Sequence, residues 1–373
     1  MFAALAISIA HAGPRARDLG VPFEGSPGPL NAITDVAGVT VGQVTLIEDL
    51  ADGRKVRTGV TAILPRGRDS IETPTFAGSF VLNGAGEMTG RAWIEESGML
   101  EGPVMLTNTH SVGTVHQATI DWRTRHGNPD SSGYWWSTPV VAETWDGELN
   151  DINGFHVKPE HVFGALDGAT GGPVAEGNVG GGTGMICHNF KCGIGTSSRR
   201  VDLDGHGYIV GALVQANYGT RSALRIAGVP VGQEIPSSAK RGEADSGSII
   251  IVIATDAPLL PTQLDRVAKR AGMGLARMGS FAGNGSGDIF VSFSTANSKA
   301  MSGAGLHTAE FLENEQLDGL FEATAQATEE AIVNAMVAAR DMVGNGGHSA
   351  KALPHDKLQA LLKRYGRAGD TPR

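Results

Sequence analysis

The stretch Gly247-Ser248-Ile249-Ile250-Ile251-Val252-Ile253-Ala254 sets a Gly-Ser pair at the mouth of an unbroken β-branched run. A segment that is apolar at every successive position has no polar face to turn to water. It therefore predicts a strand covered on both sides, the central strand of a layered sheet. Downstream, Pro261 opens an amphipathic helix whose apolar positions Leu264, Ala268, Ala271, Leu275 and Met278 recur at steps of three and four. Gly272 and Gly274 within it imply close packing. A second strand, Ile289 to Phe293, follows, and Ala325, Ile332, Met336, Ala339 and Val343 mark one face of a long helix stopped by Gly344. Strands paired with long covering helices predict an α/β layered sandwich.

Upstream, glycine and proline punctuation cuts the chain into short β-type runs at Val60 to Leu64, Ser79 to Leu82, Val104 to Leu106 and Tyr208 to Ala216, with few long helices. Gly164 to Gly184, which contains Gly180-Gly181-Gly182, lacks periodicity and reads as a loop or a close backbone crossing. A length of 373 residues suits two domains or one large sandwich. Thirty basic against 39 acidic residues give a net charge of −9, which disfavours a phosphate-tracking nucleic-acid binder and suits small ligands or neutral peptides. No triplet period accompanies the 53 glycines, so they are not collagenous. No apolar run reaches the roughly 18 residues that a membrane span needs. The first twelve residues read as an apolar run, Phe2 to Ile9, followed by the small-x-small Ala10-His11-Ala12. That pattern predicts the remnant of a signal peptide and export to the periplasm or beyond, with the tail of a cytoplasmic protein as the alternative.

The two cysteines, Cys187 and Cys192, exclude a four-cysteine metal site and leave room for one bridge. Eleven histidines contain no HExxH, and His110 and His116, six residues apart, read as loop or core residues rather than metal ligands. No Walker-type phosphate loop occurs. No G-x-S-x-G elbow stands between a strand and a helix, and Gly283-Asn284-Gly285-Ser286-Gly287 lacks that order. Gly-Ser pairs also begin at 25, 78, 279 and 285, so what distinguishes Gly247-Ser248 is its place before the buried strand. Cutting the chain there would give Ser248 a free α-amine. With a pKa near 7.7 to 8.0, that amine can serve as base for the hydroxyl of its own residue. The competing reading is an ordinary turn serine.

Four stretches in order carry a resemblance. They are Pro29-Leu30-Asn31-Ala32-Ile33-Thr34-Asp35-Val36, Val214-Gln215-Ala216-Asn217-Tyr218-Gly219, Asp245-Ser246-Gly247-Ser248-Ile249-Ile250 and Gly283-Asn284-Gly285-Ser286-Gly287-Asp288. Together they resemble the DmpA/BapA family, the P1 (S58) group of L-aminopeptidase/D-esterases and β-peptidyl aminopeptidases, from about Arg17 to Gly344. The resemblance implies a four-layer αββα sandwich of the DmpA/ornithine acetyltransferase type and self-cleavage between Gly247 and Ser248. The products are an α-chain of residues 13–247, once the leader is lost, and a β-chain of residues 248–373. It implies Ser248 as nucleophile, with Gly247 taking the strained backbone that an N-to-O acyl shift needs. Asn217 matches the family's oxyanion donor, and Ser286 and Asp288 match its Ser and acidic pair, where the family often has Glu. Glu143 matches the carboxylate that receives the substrate's ammonium group.

Trp145 departs from the family's tyrosine. Either its indole N–H substitutes for the hydroxyl, or the ring packs over substrate while Asn217 works with a backbone amide. By pattern alone, Asn217 reads as a strand-end turn residue, Glu143 as a solvated carboxylate, and Ser286 with Asp288 as a loop-to-strand cap. The cysteines of an exported chain pair, or Cys187 is a small buried hydrophobe. The resemblance further implies no cofactor, an oligomer of αβ heterodimers, and small peptides or aminoacyl amides as substrates. The alternatives are an amine-to-amine acyltransferase of the ornithine acetyltransferase type and a periplasmic binding protein that never processes itself.

Overall fold

The computed structural model describes residues 13–128, 133, 136–236, 247–301 and 305–369. The expected leader, residues 1–12, and Asp245-Ser246 of the third motif lie outside them. Along the chain run β1 (Thr40–Asp49), β2 (Lys55–Arg68), β3 (Thr75–Gly84), α1 (Arg91–Ser97), β4 (Met99–Leu100), β5 (Val104–Asn108), α2 (Val112–His126), β6 (Val140–Thr144) and α3 (Pro159–Asp167). The short hairpin of β7 (Ile186–Cys187) and β8 (Phe190–Lys191) leads into β9 (Ile194–Leu203) and β10 (His206–Asn217). Then come α4 (Val231–Glu234), β11 (Ser248–Thr255), α5 (Pro261–Arg277), β12 (Gly287–Ser294), α6 (Asp318–Val337) and α7 (His355–Arg364).

Beside two small two-stranded hairpins, the described residues form two main sheets, one ordered β1-β2-β5-β6 and the other β4-β3-β12-β11-β10-β9. Each contains one parallel pair joined through a helix, β5-α2-β6 and β11-α5-β12. Three separate apolar layers show how they stack. Val60, Met105 and Val141 pack with Val115, Trp122 and Leu166 on the outer face of the four-stranded sheet. Leu106 and Ala142 meet Leu213, Ile250 and Val252 between the sheets. Ile249, Ile251 and Ile253 pack against α5 and α6. Helix, sheet, sheet, helix is the expected αββα sandwich, with β11 inside the larger sheet and covered on both faces.

Local readings fared unevenly. The four β-type runs of the first half fall in β2, β3, β5 and β10, and Pro261 is the first residue of α5. The first half nevertheless holds α2, fifteen residues long. Its buried positions Val115, Ala118 and Trp122 have helical spacing, but the polar Thr119 and Arg123 are buried among them. Asn108 starts the segment by accepting from the backbone N–H groups of His110 and Ser111 at 3.0 and 3.1 Å. Gly164, expected in a loop, belongs to α3. Helix α6 ends at Val337 and not at Gly344. Asn178 there bonds both the carbonyl (2.9 Å) and the N–H (3.0 Å) of Arg340, and that takes the chain off the helical path. Val343 is exposed in a two-residue strand.

The Pro29 to Val36 motif is a clasp. Asn31 donates to Glu330 of α6 at 2.6 Å and accepts from the Ser198 N–H, while Asp35 accepts from the Ser198 hydroxyl at 2.6 Å. Burial alone would raise the Glu330 carboxyl, but Arg17 and Arg199, each 2.7 Å away, bring it below its ordinary range.

Helix-to-sheet spacing depends on missing side chains. A Cβ at Gly195 of β9 would lie 2.0 Å from the Ala331 carbonyl oxygen of α6, and one at Gly274 would lie 2.4 Å from that of Ala325. Gly272 was expected to pack as closely, yet the nearest atoms there stand 3.6 and 3.8 Å away, which is room enough for a methyl. Gly195→Ala should therefore destabilise the protein by about 1–3 kcal/mol through overpacking. Gly272→Ala should stabilise it by about 0.5–1 kcal/mol through helix propensity. Urea unfolding midpoints of the two variants would check the opposite signs.

Candidate active site

Strand alternation decides what faces the inter-sheet space. Leu213, Ile250 and Val252 face it, so Asn217 and Ser248, two-residue steps along β10 and β11, face it too. Gln215 shares that face and reaches across, donating to the Thr107 carbonyl at 2.8 Å and the Thr144 hydroxyl at 2.9 Å of the smaller sheet. Register then brings three residues level: Asn217 pairs with Ser248, and Ser248 with Gly287. The Gly287 N–H lies 3.1 Å from the Gly247 carbonyl oxygen and 3.2 Å from the Ser248 hydroxyl. Gly247 does not have the left-handed backbone expected of a strained site. Its constraint is close approach, since a Cβ there would stand 1.9 Å from the Asn217 carbonyl oxygen.

The Asn217 amide is oriented by two backbone partners. Its oxygen accepts from the Ile186 N–H and its nitrogen donates to the Trp145 carbonyl, both at 2.8 Å. Trp145 thus touches Asn217 through its main chain. Its ring is 46% exposed and lies over Gly147, where a Cβ would meet ring carbons at 2.6 Å.

Glu143 lies near the end of β6, 3% exposed, and accepts from the Glu87 N–H at 3.0 Å and from the Thr109 hydroxyl. Burial raises its carboxyl above the ordinary range, and those two bonds only partly offset the effect. A Cβ on Gly86 would lie 3.3 Å from the Glu143 Oε1 and 3.2 Å from the Gly287 Cα. The carboxylate and the Ser248-Gly287 pair therefore stand on either side of one missing methyl. A cavity of about 370 Å³ lined by Gly86, Met88, Thr89 and Ile289 opens beside it.

Ser286 and Asp288 flank Gly287. The serine hydroxyl donates to Asp288 Oδ1 at 2.7 Å, and both side chains are wholly buried. Asn83, which nothing in its local sequence marks, holds their turn by donating to the carbonyls of Gly283 (3.0 Å), Asn284 (3.2 Å) and Ser286. Among the described residues, no three of His, Cys, Asp and Glu group as a metal site would require. Cys187 and Cys192 form a disulfide with Cα atoms 5.4 Å apart.

The sequence profile of Peptidase family S58 matches residues 31–350. The chain belongs to peptidase family S58. Two β-peptidyl aminopeptidases BapA are similar to this S58 chain. The one from Sphingosinicella microcystinivorans is 55% identical, covering 95% of the chain and 93% of the relative. The one from Sphingosinicella xenopeptidilytica is 48% identical, covering 97% and 95%. The L-aminopeptidase D-Ala-esterase/amidase of Ochrobactrum anthropi, described as a new variant among the Ntn hydrolase folds, superposes with a TM-score of 0.90. It is 49% identical, covering 95% of the chain and all of that structure. A Burkholderia β-aminopeptidase superposes at 0.87 with 47% identity, covering 96% of the chain and all of that structure. This S58 chain is thus a hydrolase of the aminopeptidase class with the DmpA-type Ntn fold, which sets aside the non-enzymatic binding-protein alternative.

Behind the S58 site lies Asp146, which sequence reading passed over although it follows Trp145 directly. Burial pushes its carboxyl up to about 7, while bonds from Thr58 and Asn150 pull it down. A folded-state value raised above the unfolded 3.8 stabilises the protein fully below pH 3.8, and that contribution is lost as pH rises toward 7. Asp146→Asn, neutral at every pH, should gain about 2 kcal/mol relative to the parent between pH 5 and pH 8. Urea unfolding at the two pH values would check the sign, and a constant difference would contradict it.

Proposed function

We propose that this S58 enzyme cleaves itself between Gly247 and Ser248 and then works as an N-terminal serine aminopeptidase. Its substrates are small peptides and aminoacyl amides or esters, β-aminoacyl peptides among them. The single observation that carries the proposal is the level arrangement of Asn217, Ser248 and Gly287 at the open end of the inter-sheet layer. Self-cleavage begins with the Ser248 hydroxyl oxygen attacking the Gly247 carbonyl carbon. The C–N bond breaks as an ester forms, and the proton goes to the freed α-amine. Water then hydrolyses the ester, leaving residues 13–247 and 248–373 as two chains.

In turnover the α-amine of Ser248 takes the hydroxyl proton, and the oxygen attacks the substrate carbonyl. The Asn217 amide has one N–H committed to Trp145 and the other for the developing oxyanion. The Gly287 N–H, released from the Gly247 carbonyl, supplies the second contact, so no tyrosine hydroxyl is needed at 145. Ser286 and Asp288 orient the nucleophile. Glu143 receives the substrate ammonium group, which makes an unblocked amino terminus a requirement. The amine product leaves with the proton, and water hydrolyses the acyl-Ser248 ester. Acyl transfer to an added amine is the competing fate of that ester, and product analysis with an amine present measures the partition.

The same proposal places the protein in the periplasm or outside the cell, supported by the apolar Phe2 to Ile9 run and by the Cys187–Cys192 bridge, a bond typical of oxidising compartments. It also includes assembly into an oligomer of αβ heterodimers, to which the exposed Met273 and Phe281 offer apolar surface.

Ser248→Ala should run as one band and hydrolyse no aminoacyl p-nitroanilide, whereas the parent runs as two. If Ser248→Ala still splits at 247/248, an extraneous protease is responsible and the proposal fails. Glu143 must be ionised to hold an ammonium group and its carboxyl is raised, so kcat/KM should fall on the acid side at a higher pH than an ordinary glutamate would give. Glu143→Gln should lower kcat/KM about a hundredfold and remove that ionisation, leaving on the acid side only the limb set by protonation of the Ser248 α-amine.

A further inference from the structure

We infer that Lys191 is a positioning residue for acyl transfer: from within the β7–β8 hairpin, its amino group fixes the backbone that orients the Asn217 amide. The inference rests on the reading of Asn217 as oxyanion donor. An asparagine amide donates on one side and accepts on the other, so its orientation is set by what faces each side. Here the accepting side meets the Ile186 N–H. Ile186 lies in β7, directly across from Lys191 in the ladder.

Lys191 is fully buried and spends its amino group on two carbonyls, of Met185 at 2.7 Å and of Cys192 at 2.5 Å. Met185 is the residue whose peptide unit carries the Ile186 N–H. Donation to the Met185 carbonyl therefore fixes the same plane that presents the N–H to Asn217. The Cys192 N–H adds a bond to that carbonyl at 3.0 Å, the Thr144 hydroxyl meets the Met185 sulfur at 2.9 Å, and the 187–192 disulfide closes the hairpin. The other clasp of Asn217 is the Trp145 carbonyl, at 2.8 Å.

Burying a lysine is costly, and an apolar residue of similar length would fill the same space more cheaply. What methionine lacks is the pair of donors, so Lys191→Met separates orientation from packing. A double-mutant cycle with Asn217→Ala tests the route. Alone, Lys191→Met should lower kcat about 10-fold or more with KM changed less than about twofold, because only a transition-state contact is misaligned. Asn217→Ala alone should lower kcat about 100- to 1,000-fold. In the Asn217→Ala background, Lys191→Met should cost less than about twofold.

Equal costs in both backgrounds would overturn the positioning role while leaving the Asn217 reading intact. Near-normal kcat in Asn217→Ala would overturn the Asn217 reading itself. Rates are taken per mole of Ser248 amino terminus, so that differences in processing do not enter. If Lys191→Met does not fold, Lys191→Gln, which keeps one neutral donor, is carried through the same cycle and read by the same criteria.

Discussion

The site depends on one constraint: β10, β11 and β12 approach so closely at their ends that the residue before Ser248 has no room for a side chain. The Asn217 carbonyl occupies the space where a Cβ on Gly247 would go, and the Gly287 N–H reaches both the Gly247 carbonyl and the Ser248 hydroxyl. A peptide bond, a hydroxyl and an amide donor are therefore held within hydrogen-bonding range by sheet register alone. Register is enforced by burial, because a one-residue slip of β11 would exchange its helix-facing isoleucines for its sheet-facing ones and carry Ser248 to the wrong side.

Around that junction the protein buries polar groups and satisfies them mainly through its own backbone. Asn217, Gln215, Lys191 and Asn83 each bond main-chain carbonyls or amides, Gln215 with the Thr144 hydroxyl in addition. Such contacts are cheap to hold because the strands and turns that supply them are already fixed by packing. The carboxylates behave differently. Glu143 and Asp146 are both raised by burial, which stores a response to pH close to the nucleophile.

Much of this was legible in the chain. An all-apolar β-branched run following a Gly-Ser pair announces a doubly covered strand, and β11 is that strand. The amphipathic period after Pro261 gives α5 because its polar face is solvated. Where solvent does not face an element, period fails: α6 is buried nearly all round, so nothing in its apolar pattern marks the stop at Val337, just before Arg340 bonds Asn178, 162 residues from it in sequence. Helix α2 was hidden by the polar Thr119 and Arg123 among its few buried positions. Of the residues carried by motif resemblance, Asn217 and Ser248 stand level in the sheet, Ser286 and Asp288 flank the Gly287 that bonds Ser248, and Glu143 lies across Gly86 from Gly287. Those that act through non-local backbone bonds, Lys191, Asp146 and Asn83, leave no local signature. Trp145 contributes its carbonyl, a role that no side-chain comparison could indicate.

The central claim is that Ser248 is both a chain terminus and the attacking group. Quenching the enzyme in acid during turnover of a slow aminoacyl ester, then mapping masses and amino termini, tests this directly. The account predicts a fragment beginning Ser-Ile-Ile-Ile that carries the acyl group on Ser248. A fully active protein whose only amino terminus lies upstream of Ser248, or an acyl group found on another residue, would contradict it.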